Sequence, residues 1–127
     1  MMARKIYNAE RASVSGPYSH AVDAGEFVFL SGQTALNTVG AKEMTGDIAT
    51  QTKECFANLI EVLKAGNLTL DDVVKVNVYL TDMKNFSAMN EVYKTYFQDP
   101  YPARTCVAVL ALPLGAEVEI EMIAKRA

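Results

Sequence analysis

Residues 101–124 read YPARTCVAVLALPLGAEVEIEMIA, and the fold turns on this stretch. Pro100 and Pro102 bracket a tight entry, after which 105–112 is an almost unbroken apolar run. Its length and its Val, Leu and Cys content predict a strand buried on both faces. Pro113, Leu114, Gly115 and Ala116 break the run. Residues 117–124 then alternate strictly, with Val118, Ile120, Met122 and Ala124 pointing one way and Glu117, Glu119 and Glu121 the other. That pattern predicts a strand of period two with a row of carboxylates on one face. Arg104 and Cys106, two residues apart, share a side of the preceding strand. A guanidinium at the mouth of a buried strand and a carboxylate on its successor are the chain's strongest candidates for chemistry.

Upstream of this stretch, residues 3–15 are mixed and polar apart from Ile6, Tyr7 and Val14, which predicts one short strand followed by loop. Residues 15–17 (SGP) signal a turn, and 18–22 begin a strand. The DAGE turn at 23–26 leads into EFVFLSGQ (26–33), the returning arm of a hairpin. If Val22 and Phe27 close that hairpin, Tyr18 lies opposite Ser31. Residues 37–46 read as loop. Asp47 is placed to cap a helix, whose apolar stripe is Ile48, Cys55, Phe56, Leu59, Ile60 and Leu63. The pair at 66–67 (Gly, Asn) ends it in the left-handed conformation. Residues 73–81 predict a strand with Val74, Val76, Val78 and Leu80 on one face and Lys75, Asn77 and Tyr79 on the other. Thr81 or Asp82 caps a second helix with a stripe of Phe86, Met89, Tyr93, Tyr96 and Phe97, ending before Pro100.

The predicted order is strands, helix, strand, helix, strand, strand, in one domain spanning 1–127. Two helices cover only one face of such a sheet. The run at 105–112 is nevertheless apolar on both sides, and a second copy of the chain is the simplest cover for the other face. The residue pattern therefore predicts an oligomeric α+β protein.

Composition narrows the function classes. A chain of 127 residues buries its own core. Half of its residues are apolar, yet no window approaches the ~20 consecutive apolar residues of a membrane span. No apolar stretch follows the charged start, so no secretory signal is expected. Cys55 and Cys106 sit within apolar patterns without metal-ligand spacing, which fits reduced thiols and a cytoplasmic protein with no metal. A net charge of −3 and the absence of a basic run argue against a nucleic-acid surface. With one histidine, a Ser-His or Cys-His apparatus would have to rest on His20.

GPYSHA (16–21), LSGQ (30–33), ARTCVAV followed by LP (103–113) and EVEIEMIA (117–124) occur in order, with two helices between them. Together they resemble the reactive-intermediate deaminase family, also called YjgF/YER057c and, in older usage, the translation-inhibitor family. The resemblance runs from about Tyr7 to the C-terminus. It implies a chorismate-mutase-like mixed sheet with two helices on one face, and a homotrimer with sheets inside, helices outside and clefts between subunits. It also implies cofactor-free hydrolysis of the enamine and imine acids that pyridoxal-phosphate dehydratases release. The typical case is 2-aminoacrylate, with its tautomer 2-iminopropionate, going to pyruvate and ammonia.

Carried over by residue, the family's functional positions fall on Tyr18, Ser31, Gly32, Asn90, Arg104, Cys106 and Glu119. Arg104 suits a carboxylate because its fork donates two parallel hydrogen bonds and does not titrate. A lone arginine is more often a surface charge; here the strand-mouth position and the motif favour the anchor. Glu119 suits a water-activating role and passing a proton to the departing nitrogen. Glu117 and Glu121 read as a solvated strand face, and the resemblance alone singles out Glu119. An apolar strand surrounds Cys106 and would raise its pKa, so its expected role is positional rather than nucleophilic. Tyr18 and Ser31 carry hydroxyls able to hold water or the imine nitrogen. Gly32 relieves crowding where a ligand approaches the backbone. Asn90 falls on the second helix near its aromatic stripe, Cys55 is core, and His20 receives no role.

Three function classes follow. The first is an imine deaminase acting on a small imino or enamino acid. The second is a regulatory module that binds a small 2-oxo or 2-amino carboxylate without turnover. The third, suggested by the older family name, is an endoribonuclease-type translation inhibitor, which the acidic charge disfavours. Counting along the last two strands adds one geometric expectation. If the link at 113–116 reverses the chain, Glu119 is level with Leu110, ~20 Å along the strand axis from Arg104. The resembled fold sets the last strand beside 26–33, so Tyr18, Ser31 and Glu119 share one end of a subunit. Arg104 and Cys106 lie towards the other, and a neighbouring chain has to unite the two groups.

Overall fold

The computed structural model describes residues 3–10, 12, 16–35 and 46–127. Six strands form one mixed sheet: β1 (Lys5–Tyr7), β2 (Ala21–Asp23), β3 (Phe27–Gln33), β4 (Val73–Leu80), β5 (Ala103–Ala108) and β6 (Val118–Lys125). Their order across the sheet is β1-β2-β3-β6-β4-β5. Among the strands described, β4 and β5 pair in parallel and the other pairs, β1 with β2, β2 with β3, β3 with β6 and β4 with β6, are antiparallel. Helix α1 (Ile48–Ala65) joins β3 to β4, and α2 (Phe86–Tyr93) joins β4 to β5. Both crossovers step in the same direction across the sheet. The right-handed rule therefore puts both helices on one face, as the sequence predicts.

Local chemistry sets the helix ends. The Asp47 side chain accepts the Thr50 N–H at 2.8 Å, a cap worth about 1 kcal/mol. At the other end it is Asn67, at φ 60°, that takes the left-handed conformation, while Gly66 stays at φ −97°. The buried stripe of α1 meets Val28, Leu30, Val76, Val78, Val118, Ile120 and Met122 from the sheet. Phe56 stacks on Tyr96 with ring centroids 4.2 Å apart and meets Tyr93 and Phe97 edge-on. Tyr96 and Phe97 thus belong to the expected stripe, although α2 itself ends at Tyr93. Among the described residues no helix is long and apolar enough to cross a membrane.

The structure corrects four expectations. First, Val22 pairs with Phe29 rather than Phe27, so His20, not Tyr18, stands opposite Ser31, whose N–H donates to the His20 carbonyl at 2.8 Å. The turn is wider than composition suggests because the Asp23 carboxylate folds back onto the Gly25 N–H and Gly25 takes φ 94°. Second, a bulge between Val73 and Lys75 turns Val73 inward and leaves Val74 exposed. Third, β5 covers 103–108 rather than 105–112 and forms an edge of the sheet. It is not buried in the single chain, and Leu110 beyond it is fully exposed. The run is apolar on both sides, but one helical layer covers only one of them. Fourth, Val118 is level with Leu80, and Leu80 with Ala108. Glu119 is accordingly level with Val107, not Leu110, because β4 lies between the last two strands and sets their register. Of the predicted loop at 37–46, all but Gly46 lies outside the described residues, as does Ser15 of the 15–17 turn.

Candidate functional site

The candidate residues fall into two clusters on opposite faces of the sheet. On the helix face Arg104 is the second residue of β5. Its Nη1 donates to Asn90 Oδ1 on α2 at 2.7 Å. Its guanidinium carbon lies 4.7 Å from the Tyr93 ring centroid and 5.7 Å from that of Phe86. Two aromatic faces and one amide oxygen thus hold a cation that would otherwise sweep through many rotamers. The rest of the fork takes no partner among the described residues. Arg104 also lines a cavity of about 350 Å³, together with Asn90, Glu91, Tyr93, Lys94, Tyr101 and Pro102, in which Glu91 is paired with Lys94 at 2.8 Å. A held fork facing open volume is suited to a small planar anion.

Cys106, two residues on, points to the same side and packs against the core. Burial pushes its thiol up, and the nearby Arg104 charge offsets this only in part. The thiol therefore stays protonated near neutrality and makes a poor nucleophile. Tyr93 and Phe86 were legible only as core stripe, yet they also brace Arg104. An arginine two positions before an inward-facing cysteine, across from an aromatic helix, is the signal that finds them.

On the open face β3 bulges between Leu30 and Gln33, setting both Ser31 and Gly32 against Glu121 alone on β6. The bulge brings Gly32 beneath the side chain of Glu119. A Cβ on Gly32 would fall 2.8 Å from Glu119 Oε2 and 2.9 Å from its carboxyl carbon. The glycine makes room for Glu119 itself. Burial, and secondarily the charge of Glu121, hold the Glu119 carboxyl above the ordinary carboxylate range. A carboxyl so placed exchanges a proton more readily near neutrality than an exposed one. Ser31 Oγ donates to the Ser19 carbonyl at 2.7 Å, and Tyr18 stands one residue further back, largely exposed.

Glu121 departs from the expected solvated face. It is half-buried and accepts two hydrogen bonds through Oε1, from Asn77 Nδ2 at 3.0 Å and from the Tyr79 hydroxyl. Glu117 is exposed as expected. His20 is buried, with Nδ1 accepting the Ala9 N–H at 3.0 Å, and Cys55 is fully buried.

One chain does not unite the two clusters. Arg104 is level with Met122 through Val76, three residues from Glu119 along the strand. That is about 10 Å along the axis and, with one strand between, about 10 Å across it. The two side chains also leave opposite faces. The expected separation along the axis is about twice the observed one, but the consequence is the same: no molecule of pyruvate size touches both in one chain.

Against known proteins, the family model described as "Endoribonuclease L-PSP" matches residues 9–126. The 2-iminobutanoate/2-iminopropanoate deaminase of mouse (Mus musculus) is 42% identical over 122 residues, covering 95% of this chain and 90% of the relative. RidA from the Antarctic bacterium Psychrobacter superimposes with TM-score 0.91 at 38% identity, over 97% of this chain and 100% of that one. E. coli TdcF, solved with bound serine, gives TM-score 0.89 at 38% identity, over 97% and 99%. The bulged β3, the glycine under a carboxylate and the braced arginine thus lie in a chain that matches these proteins over nearly its whole length, and the chain belongs to the endoribonuclease L-PSP family, that of the YjgF and RidA proteins.

Proposed function

We propose that the protein is an imine deaminase that hydrolyses 2-aminoacrylate and its tautomer 2-iminopropionate, with related 2-imino acids, to the 2-oxo acid and ammonia. The observation that carries this reading is the braced fork of Arg104, held at one edge by Asn90 and open at the other to a cavity. The substrate's planar carboxylate docks on that fork. Glu119 accepts a proton from water as its oxygen adds to the C=N carbon and passes that proton to the nitrogen, giving a carbinolamine. The hydroxyl proton then moves through Glu119 to the amine as the C–N bond breaks, leaving the 2-oxo acid and ammonia. Ser31 and Tyr18 hold the water or the nitrogen, and the backbone at Gly32 and Cys106 fixes the substrate's position. Positioning and charge pairing supply the acceleration. The substrate also hydrolyses unaided, so a modest acceleration suffices.

The site is completed between copies of the chain, one giving Arg104 and the next Glu119. A closed homotrimer repeats that junction at every interface. The exposed apolar run of Val107 and Leu110 and the open face bearing Phe27 and Phe29 favour such a neighbour. The free thiols of Cys55 and Cys106 fit a reducing compartment, here taken as the cytoplasm. Supplying purified protein with 2-aminoacrylate from a serine dehydratase and following imine decay tests the activity. Decay unchanged at stoichiometric protein would overturn it.

The serine in the TdcF structure favours a second reading, in which the same cleft binds a small amino or oxo carboxylate and signals without turnover. Saturable binding with unaltered imine decay would select it.

A further inference from the structure

We infer that Glu121, held in place by Tyr79 and Asn77, is a positioning residue that sets the pH at which Glu119 takes up and releases its proton. The inference rests on the proposed role of Glu119 in handling water.

Glu119 and Glu121 are two apart on β6 and leave the same face, about 7 Å from one another along the strand. Side chains so close would ordinarily lean together or find solvent, but these two are drawn apart. The Glu119 carboxyl lies over Gly32 towards β3. Glu121 is drawn towards β4, where Asn77 stands directly opposite it. Tyr79 stands opposite Glu119 instead, and its hydroxyl reaches diagonally to Glu121.

Glu121 has two donors, Asn77 and Tyr79, while Glu119 has none among the described residues and carries the penalty of burial. Burial raises the Glu119 carboxyl first and the Glu121 charge raises it further. The same bond pushes Tyr79 up to about 12, so its hydroxyl remains a donor at every working pH.

Among the described residues, the other groups around Glu119 do not supply that charge. On this face β3 offers Ser31 and Gly32, and β5 offers Thr105 and Val107, none of which titrates in the working range. Lys75 on β4 is committed to Thr105 Oγ1 at 2.9 Å, about 13 Å along the strand from Tyr79. Glu117 precedes β6 and is exposed. Beneath the sheet the Cys55 thiol of α1 is pushed up by burial and then by Glu119, so it stays neutral. Among the described residues, Glu121 is the carboxylate that remains beside Glu119.

The test is a ¹³C NMR titration of the Glu119 side-chain carboxyl, assigned by its loss in Glu119→Gln, beside the pH profile of kcat/KM. Glu121→Gln keeps an acceptor for Tyr79 and Asn77 but removes the charge. The Glu119 midpoint should fall by roughly one pH unit, and the acid limb of kcat/KM should move down with it. Tyr79→Phe should release the Glu121 side chain, read as a changed ¹³C chemical shift of its carboxyl at pH 7. A Glu119 midpoint unmoved in Glu121→Gln overturns the inference, whatever the turnover; an unchanged Glu121 carboxyl signal in Tyr79→Phe overturns the holding role of Tyr79. A merely structural role would lower thermal stability and leave the Glu119 midpoint where it was. Because the titration needs no turnover, a shifted midpoint in a protein without imine hydrolysis supports the tuning and refutes the functional reading alone.

Discussion

Gly32 and Glu119 occupy a space that has room for one side chain: a methyl group on Gly32 would stand 2.8 Å from Glu119 Oε2. The clash is with the far end of a flexible chain, which swings aside at little cost. Gly32→Ala is therefore expected to keep its Tm within about 2 °C while kcat/KM for imine hydrolysis falls ~10–100-fold, because the carboxylate is displaced by about an ångström. A thermal scan beside a rate assay checks both. A variant that is strongly destabilised, or one fully active, would show that the glycine serves the backbone instead.

Arg104 sits in a bracket of Asn90, Tyr93 and Phe86 that fits a planar fork. Arg104→Ala should abolish turnover without disturbing fold or assembly. Arg104→Lys should recover little, with kcat/KM at least ~100-fold below the parent, since an ammonium stacks poorly and donates to one point. Full activity in Arg104→Lys would mean that charge alone anchors the substrate.

Asp23 ties three segments together. Its Oδ2 accepts from Arg126 near the C-terminus at 2.8 Å and from the Tyr7 hydroxyl at 2.8 Å, and Oδ1 accepts the Gly25 N–H. The Gly25 amide, then Tyr7 and Arg126, hold its carboxyl down at about 2. A carboxyl whose folded pKa lies below its unfolded value stabilises the fold fully above the unfolded value, near 3.8, and loses that contribution as pH falls towards 2. Thermal unfolding from pH 7 to pH 2 should show a steeper loss between pH 4 and 2 in the parent than in Asp23→Asn. The variant should also melt lower at pH 7. Parallel curves would refute this assignment.

Glu119 has the opposite sign. Its folded pKa is raised, so ionisation as pH climbs through that value costs folding stability. Glu119→Gln should melt higher than the parent at pH 7 and no higher at pH 4, while losing activity. Equal melting temperatures at pH 7 would show that burial costs this carboxylate nothing.

How legible each feature was depends on whether its cause is local. The alternation of β6, the stripe of α1 and the Asp47 cap are written in neighbouring residues, and the structure has them all. The hairpin register depends on Asp23 folding back to Gly25, and the burial of Val73 over Val74 on a bulge. The one extra residue at the bulge reverses a side chain, whereas the hairpin slips by two residues, keeping each face and changing only the partners. The level of Arg104 against Glu119 depends on β4 lying between β5 and β6, which only the whole sheet decides. The site divides in the same way. Arg104 and Cys106 announce themselves by spacing, whereas the bracing by Phe86 and Tyr93 is hidden because both rings also serve the core. Glu121 reads as solvated in the sequence because a row of glutamates looks uniform until Asn77 and Tyr79 are placed across from it.

The central claim is that one chain's Arg104 and another's Glu119 act on the same imine. Arg104→Ala and Glu119→Ala are each inactive on this account. Unfolded together in equal amounts and refolded, they should assemble at random, and one junction in four then pairs an intact Arg104 with an intact Glu119. The mixture should recover about a quarter of the parent's imine hydrolysis, while either variant refolded alone stays inactive. A refolded mixture as inactive as its components, with mixed assemblies verified by mass spectrometry, would contradict the shared site.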